Sequence, residues 1–245
     1  MADLFARYVL AMLTLISCRE SRTSANQFGP HGITGDQDLF DGGPVDQPIF
    51  IHGYNRTEDQ VAQDYKAFSA ALKQDCIAYS WPGGSHPLDF PAAVDRASLA
   101  GYRLRDVFSM RHPRASNENV ITHSLGARVA LTALKGGLFR IKKLILMGAA
   151  VDWNVFNRGA EFEKVPAYCD SIHVLYSNRD EVLKLAFPLG DFGGDHRALG
   201  LDGPCEPLEV PENVVLHDLS NFVDKHSAYL SNLQCFDLVE QILAG

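Results

Sequence analysis

Ser124 lies in the run Thr122-His123-Ser124-Leu125-Gly126, at the junction of two different kinds of sequence. Before it, Val120 and Ile121 are apolar and β-branched, as a short buried strand requires. After it, Val129, Ala130, Leu131, Ala133 and Leu134 make a buried helix. A serine on a sharp strand-to-helix turn projects its Oγ above the sheet, provided small neighbours let the backbone bend. The alternative is a serine that caps the helix after it. Thr122 stands where this pattern usually has glycine, which predicts a tightened or shifted turn.

A serine hydroxyl attacks carbonyl carbon only when a base takes its proton and a carboxylate orients that base. With the serine on such a turn, the acid and then the histidine are expected at later strand ends. Asp180, in Ser177-Asn178-Arg179-Asp180-Glu181, is the candidate acid; it also reads as a cap for the helix that follows. Asp152 is the substitute and Glu181 a weaker one. His226 is the candidate base, with His217 and His196 as rivals. His123, next to the serine, reads as a packing residue that points away from it.

The negative oxygen of an acyl-transfer transition state needs preorganised N–H donors. The backbone of Leu125 supplies one, and the loop His52-Gly53-Tyr54-Asn55 supplies the other through the Tyr54 amide. His52, Gly53, Trp81 and Trp153 are the expected pocket residues. Residues 188–211, rich in Gly and Asp, would complete the wall. They include Asp191, Asp195 and His196, which read as a solvated loop rather than a metal site. Neither a cofactor nor a metal is expected.

These residues need a scaffold of strands with their ends aligned. Short apolar runs recur at residues 48–51, 76–79, 143–147, 172–176 and 214–216. Between them, Thr57 and Gln60 form a capping box ahead of Val61, Tyr65, Phe68 and Leu72 at helical spacing. A long helix is predicted over about residues 92–110, ended by His112-Pro113. A closing helix carries Leu230, Leu233, Phe236 and Val239. Strands that are continuous apolar runs, alternating with helices, indicate an α/β fold with a mostly parallel sheet covered on both faces. The ligand crevice of such a sheet lies beyond the carboxyl ends of its strands.

The chain has 245 residues, 46% of them hydrophobic, enough for a large core. A formal net charge of −8 argues against nucleic acid or an anionic membrane surface as partner. Five cysteines without C-x-x-C spacing suggest neither a zinc site nor a disulfide framework; Cys76 and Cys169 read as core residues. Residues 1–46 read as an N-terminal helix followed by a polar loop or leading strands, and residues 47–245 as the main domain. Phe5, Val9, Met12, Leu13 and Ile16 would share one helix face. Leu15-Ile16-Ser17-Cys18 also resembles the lipobox of bacterial lipoproteins. These readings place the protein in the cytoplasm or, with Cys18 lipidated, on a membrane of the cell envelope.

Together, His52-Gly53-Tyr54-Asn55, Ser80-Trp81-Pro82, His123-Ser124-Leu125-Gly126-Ala127-Arg128, Tyr176-Ser177-Asn178-Arg179-Asp180 and the late His226 resemble the α/β-hydrolase superfamily. Within it the chain is similar to a bacterial branch of uncharacterised α/β hydrolases, over about residues 47–245. The resemblance implies Ser124, Asp180 and His226 as a catalytic triad and the Tyr54 and Leu125 amides as the oxyanion hole. It implies a serine hydrolase acting on a small-molecule carboxylic ester. Lipase, thioesterase and acyltransferase chemistry use the same machinery, and a catalytically silent binding protein is the alternative. Residues 152–170 are too few for a large cap domain, so an open site is expected.

Overall fold

The computed structural model describes residues 14–34, 47–86, 89–111, 118–190, 197–204 and 210–245. At its centre, β3 (Ile49–Ile51), β5 (Asn119–His123) and β6 (Ile141–Met147) run parallel, each an almost wholly buried apolar run. Alternation along them feeds two cores. Ile49 and Ile51 face one side of the sheet, whereas Phe50 faces the other. Helices α2 (Phe90–Arg111) and α3 (Gly126–Leu134) cover the first side. Helices α1 (Glu58–Ala71) and α6 (Leu233–Ala244) cover the second. The Thr57–Gln60 capping box opens α1 as expected, with both reciprocal bonds formed.

The sheet is completed by β1 (Leu15–Arg19), β2 (Phe28–Thr34), β4 (Ile77–Ser80), β7 (Cys169–Tyr176) and β8 (Val214–Asp218). Its eight strands lie in the order β2-β1-β4-β3-β5-β6-β7-β8. All pairings are parallel except β1 with β2. The carboxyl ends of β3, β5, β6 and β7 therefore meet along one edge, each leading into a loop.

Two expectations are corrected here. Leu15 to Arg19 is a strand, not the end of an amphipathic helix. Its side chains alternate between the two cores, Ile16 and Cys18 on one side and Leu15 on the other, and its backbone has ladder partners along both edges. Cys18 is a core thiol facing the Ser80 carbonyl at 3.5 Å, and burial pushes its pKa up to about 11. The rest of the expected helix face, Phe5 to Leu13, lies outside the described residues. Residues 188–211 are likewise not one loop. Pro188 lies within α4 (Glu181–Gly190), and α5 (Leu199–Asp202) lies against β7 with Leu199 and Leu201 buried. Asp191, Asp195 and His196 lie outside the described residues. Cys76 and Cys169 are buried and free, as are Cys18 and Cys235.

Candidate active site

The turn after β5 holds Ser124 at φ +57°, a left-handed conformation that a non-glycine residue adopts only when its surroundings impose it. They do so from three directions. The Ser124 N–H donates to the Met147 carbonyl at the end of β6, at 3.0 Å. The Ser124 carbonyl accepts from Ala127 and from Ala150, both at 3.1 Å. Gly126 then passes so close to β3 that a Cβ there would lie 2.5 Å from the Ile51 carbonyl oxygen. Thr122, at the usual glycine position, is fully buried, and its hydroxyl donates to Ile145 O at 3.2 Å, so the threonine is accommodated within the strand.

His226 opens a short 3₁₀ turn (His226–Leu230) beyond β8. Its Nδ1 meets Asp180 Oδ2 at 2.6 Å. Asp180 is fully buried, and its other oxygen accepts from Leu183 N at 3.1 Å. One oxygen of Asp180 therefore caps α4 while the other contacts the histidine. Ser177 ties the two loops together, donating from Oγ to Val223 O at 2.6 Å. Asp152, the substitute acid, instead bridges to Ala198 and lines a second cavity of about 230 Å³ that shares Phe90, Ala150 and Phe187 with the one around Ser124. Glu181 is exposed in the first turn of α4. His217 pairs with His173 at 3.0 Å, away from Ser124.

His123 packs as a buried ring against His226 and Tyr229, and it also bonds across to the candidate base. Its Nε2 donates to the His226 carbonyl at 3.0 Å, and the two imidazole rings lie 4.7 Å apart. Burial, reinforced by the neighbouring His226, lowers its pKa to about 3, so it stays neutral while holding the backbone of the candidate base.

The loop after β3 is fixed from behind. His52 Nε2 accepts from Trp81 N at 3.1 Å, which leaves the proton on Nδ1 to donate to the Gly53 carbonyl at 2.6 Å. With that carbonyl held, the trans Gly53–Tyr54 peptide turns the Tyr54 N–H to the opposite side. Among the described residues neither the Tyr54 nor the Leu125 amide has a backbone acceptor. A Cβ on Gly53 would lie 2.8 Å from Ser124 Cβ, so only glycine lets the loop come this near.

Ser124, His226, His52, Gly53 and Tyr54 line one cavity of about 390 Å³ across the carboxyl edge of the sheet. Of the expected wall residues, His52 and Gly53 are in place and the tryptophans are not. Trp81 is fully buried beneath the loop, stacked on His52 and donating from Nε1 to His52 O at 2.9 Å. Trp153 lies outside the cavity, with the Arg197 guanidinium 4.9 Å from its ring centre. The apolar wall comes from Phe90, Leu183 and Phe187. Sequence reasoning also missed Arg19. Its side chain is buried and donates to Ser80 Oγ at 2.8 Å, Ser24 O at 3.0 Å and Arg56 O at 2.7 Å. An arginine closing an otherwise apolar strand was the available signal.

A search of the curated proteins gives no match. Among solved structures the chain is similar to Aspergillus fumigatus lipase B, at 14% identity and TM-score 0.49 over 81% of this chain and 52% of that one. It thus spans about half the length of that lipase. The ydeN gene product of B. subtilis is similar at 16% identity and TM-score 0.47, over 82% of this chain and 100% of that one. An arylesterase is similar at 14% identity and TM-score 0.41, over 82% and 75%. The family model described as an alpha/beta hydrolase of unknown function (DUF900) matches residues 46–196, more than half of the sequence. The chain belongs to that α/β-hydrolase family.

Proposed function

We propose that the protein is a serine hydrolase that cleaves carboxylic esters through an acyl-enzyme. The reading is carried by one observation: the strained Ser124 and the Asp180-bound His226 line the same cavity. In this mechanism His226 Nε2 takes the proton of Ser124 Oγ as that oxygen attacks the ester carbonyl. Asp180 keeps the other imidazole proton on Nδ1 and steadies the cation that forms. The Tyr54 and Leu125 amides receive the negative oxygen. Collapse of the tetrahedral species expels the alcohol, which takes the proton from His226. Water then loses a proton to His226 as it attacks the acyl-serine, and His226 returns that proton to Ser124 Oγ as the acid leaves.

Turnover of short-chain and medium-chain aryl esters tests the reading. Wild-type protein is expected to release the alcohol catalytically, and Ser124→Ala and His226→Ala each to lose on the order of 10⁶ in turnover. Equal ester release by wild type and Ser124→Ala would overturn it.

A further inference from the structure

The cavity around Ser124 has two chemically different ends. Toward α2 and α4 its lining is Phe90, Ala150, Val182, Leu183 and Phe187, wholly apolar. Phe90 and Phe187 meet edge to face there, with ring centres 6.4 Å apart. Toward α1 and the 3₁₀ turn, the lining includes Asn55, Arg56, Asp64, Lys225 and Ser227 beside the apolar Leu230. That end carries two cations against one carboxylate, in a chain whose formal net charge is −8.

Of the two cations, Arg56 is engaged in part and Lys225 is not. Arg56 meets Asp64 through Nε at 2.8 Å, and among the described residues its terminal nitrogens have no hydrogen-bonded partner. Lys225 is exposed and forms no ion pair among the described residues. Arg56 also stands near enough to His52 and His123, which line the same cavity, for its charge to disfavour protonation of both.

The proposed mechanism distinguishes the two parts of an ester. The leaving oxygen is the atom that His226 protonates, and Lys225 and Ser227 flank His226 in the chain. The alcohol portion therefore departs toward the charged end, and the acyl chain lies toward Phe90 and Phe187. Resting on the serine-hydrolase reading above, we propose that the substrate is an ester of an apolar acyl group whose alcohol portion carries an anionic group, met by Arg56 and Lys225. A guanidinium and an ammonium at the rim of a low-dielectric cleft attract such an anion both on approach and once bound.

Four synthetic esters test this: 4-carboxyphenyl butyrate, neutral 4-carbamoylphenyl butyrate, phenyl butyrate, and phenyl hemiglutarate, which has its carboxylate on the acyl side. The carboxyphenyl ester is expected to exceed the carbamoyl ester in kcat/KM by about tenfold at low salt, a margin that shrinks as salt screens the charges. Phenyl hemiglutarate is expected to be slower than phenyl butyrate. Lys225→Gln and Arg56→Gln should each cut the carboxyphenyl-to-carbamoyl ratio about threefold, and Lys225→Glu should cut it further. A ratio at or below one, or a ratio that none of these substitutions moves, overturns the proposal. Fluorophosphonate labelling of Ser124 separates the causes. With labelling intact, such a ratio overturns only the substrate assignment; without labelling, the hydrolase reading falls and the assignment falls with it.

Discussion

Asp180 serves two partners at once, with Oδ2 at 2.6 Å from His226 Nδ1 and Oδ1 at 3.1 Å from the Leu183 amide. The start of α4 and the position of His226 are therefore set by one buried carboxylate. Asparagine caps helices about as well as aspartate but cannot stabilise an imidazolium. Asp180→Asn should keep most of the stability and lose about ten-thousandfold in ester turnover. Asp180→Ala should lose the same activity and a further ~1 kcal/mol of stability with the cap. Thermal melts beside turnover check this. Equal melting losses in the two variants would separate the cap from the carboxylate oxygen assigned to it.

Arg19 donates to three acceptors on three different segments, at Ser24, Arg56 and Ser80. Its side chain thereby ties the end of β1 to the loop bearing Gly53 and Tyr54. Arg19→Met would strand these acceptors in a buried site, at about 1–3 kcal/mol for each one left unsatisfied. Arg19→Lys should recover only part of the loss, because an ammonium cannot reproduce the planar fork. Urea unfolding of both variants measures this, and full rescue by lysine would contradict it.

Five buried or half-buried histidines make stability depend on pH. Burial holds His123 down to about 3 and His173 down to about 4, and places His31, His52 and His217 below the usual 6.5. In the unfolded chain these rings take protons near 6.5, so below that pH the unfolded state binds more protons than the fold. The stabilisation is complete above about pH 7 and shrinks as pH falls toward the folded values. The melting temperature should therefore drop between about pH 7 and pH 5, before carboxylates titrate. His173→Gln should flatten part of that slope. A melting temperature constant across this interval would refute the account.

Much of this arrangement was legible in the sequence because parallel strands are apolar runs and reactive residues gather at their ends. Thr57 with Gln60, and the residues on either side of Ser124, state their local structure directly. Asp180 and His226 could be picked out because chain order restricts which strand ends meet. β1 was hidden because Leu15 to Cys18 is too short to distinguish strand from helix. Its identity depends on ladder partners at β2 and β4, far along the chain. Trp81 was misplaced because aromatic residues after a strand suit either a cavity wall or the core beneath it. Only the His52 contacts distinguish the two. The bond made by His123 was not foreseen because its partner is a backbone carbonyl 103 residues away, which leaves no mark in side-chain pattern.

The central claim is that Ser124 is an activated nucleophile served by His226. The most direct measurement is stoichiometric labelling by a fluorophosphonate, located by mass spectrometry of the digested protein. The account predicts one label per chain on Ser124, abolished in Ser124→Ala and slowed by orders of magnitude in His226→Ala. An unlabelled Ser124, or a His226→Ala variant that labels as fast as wild type, would contradict it.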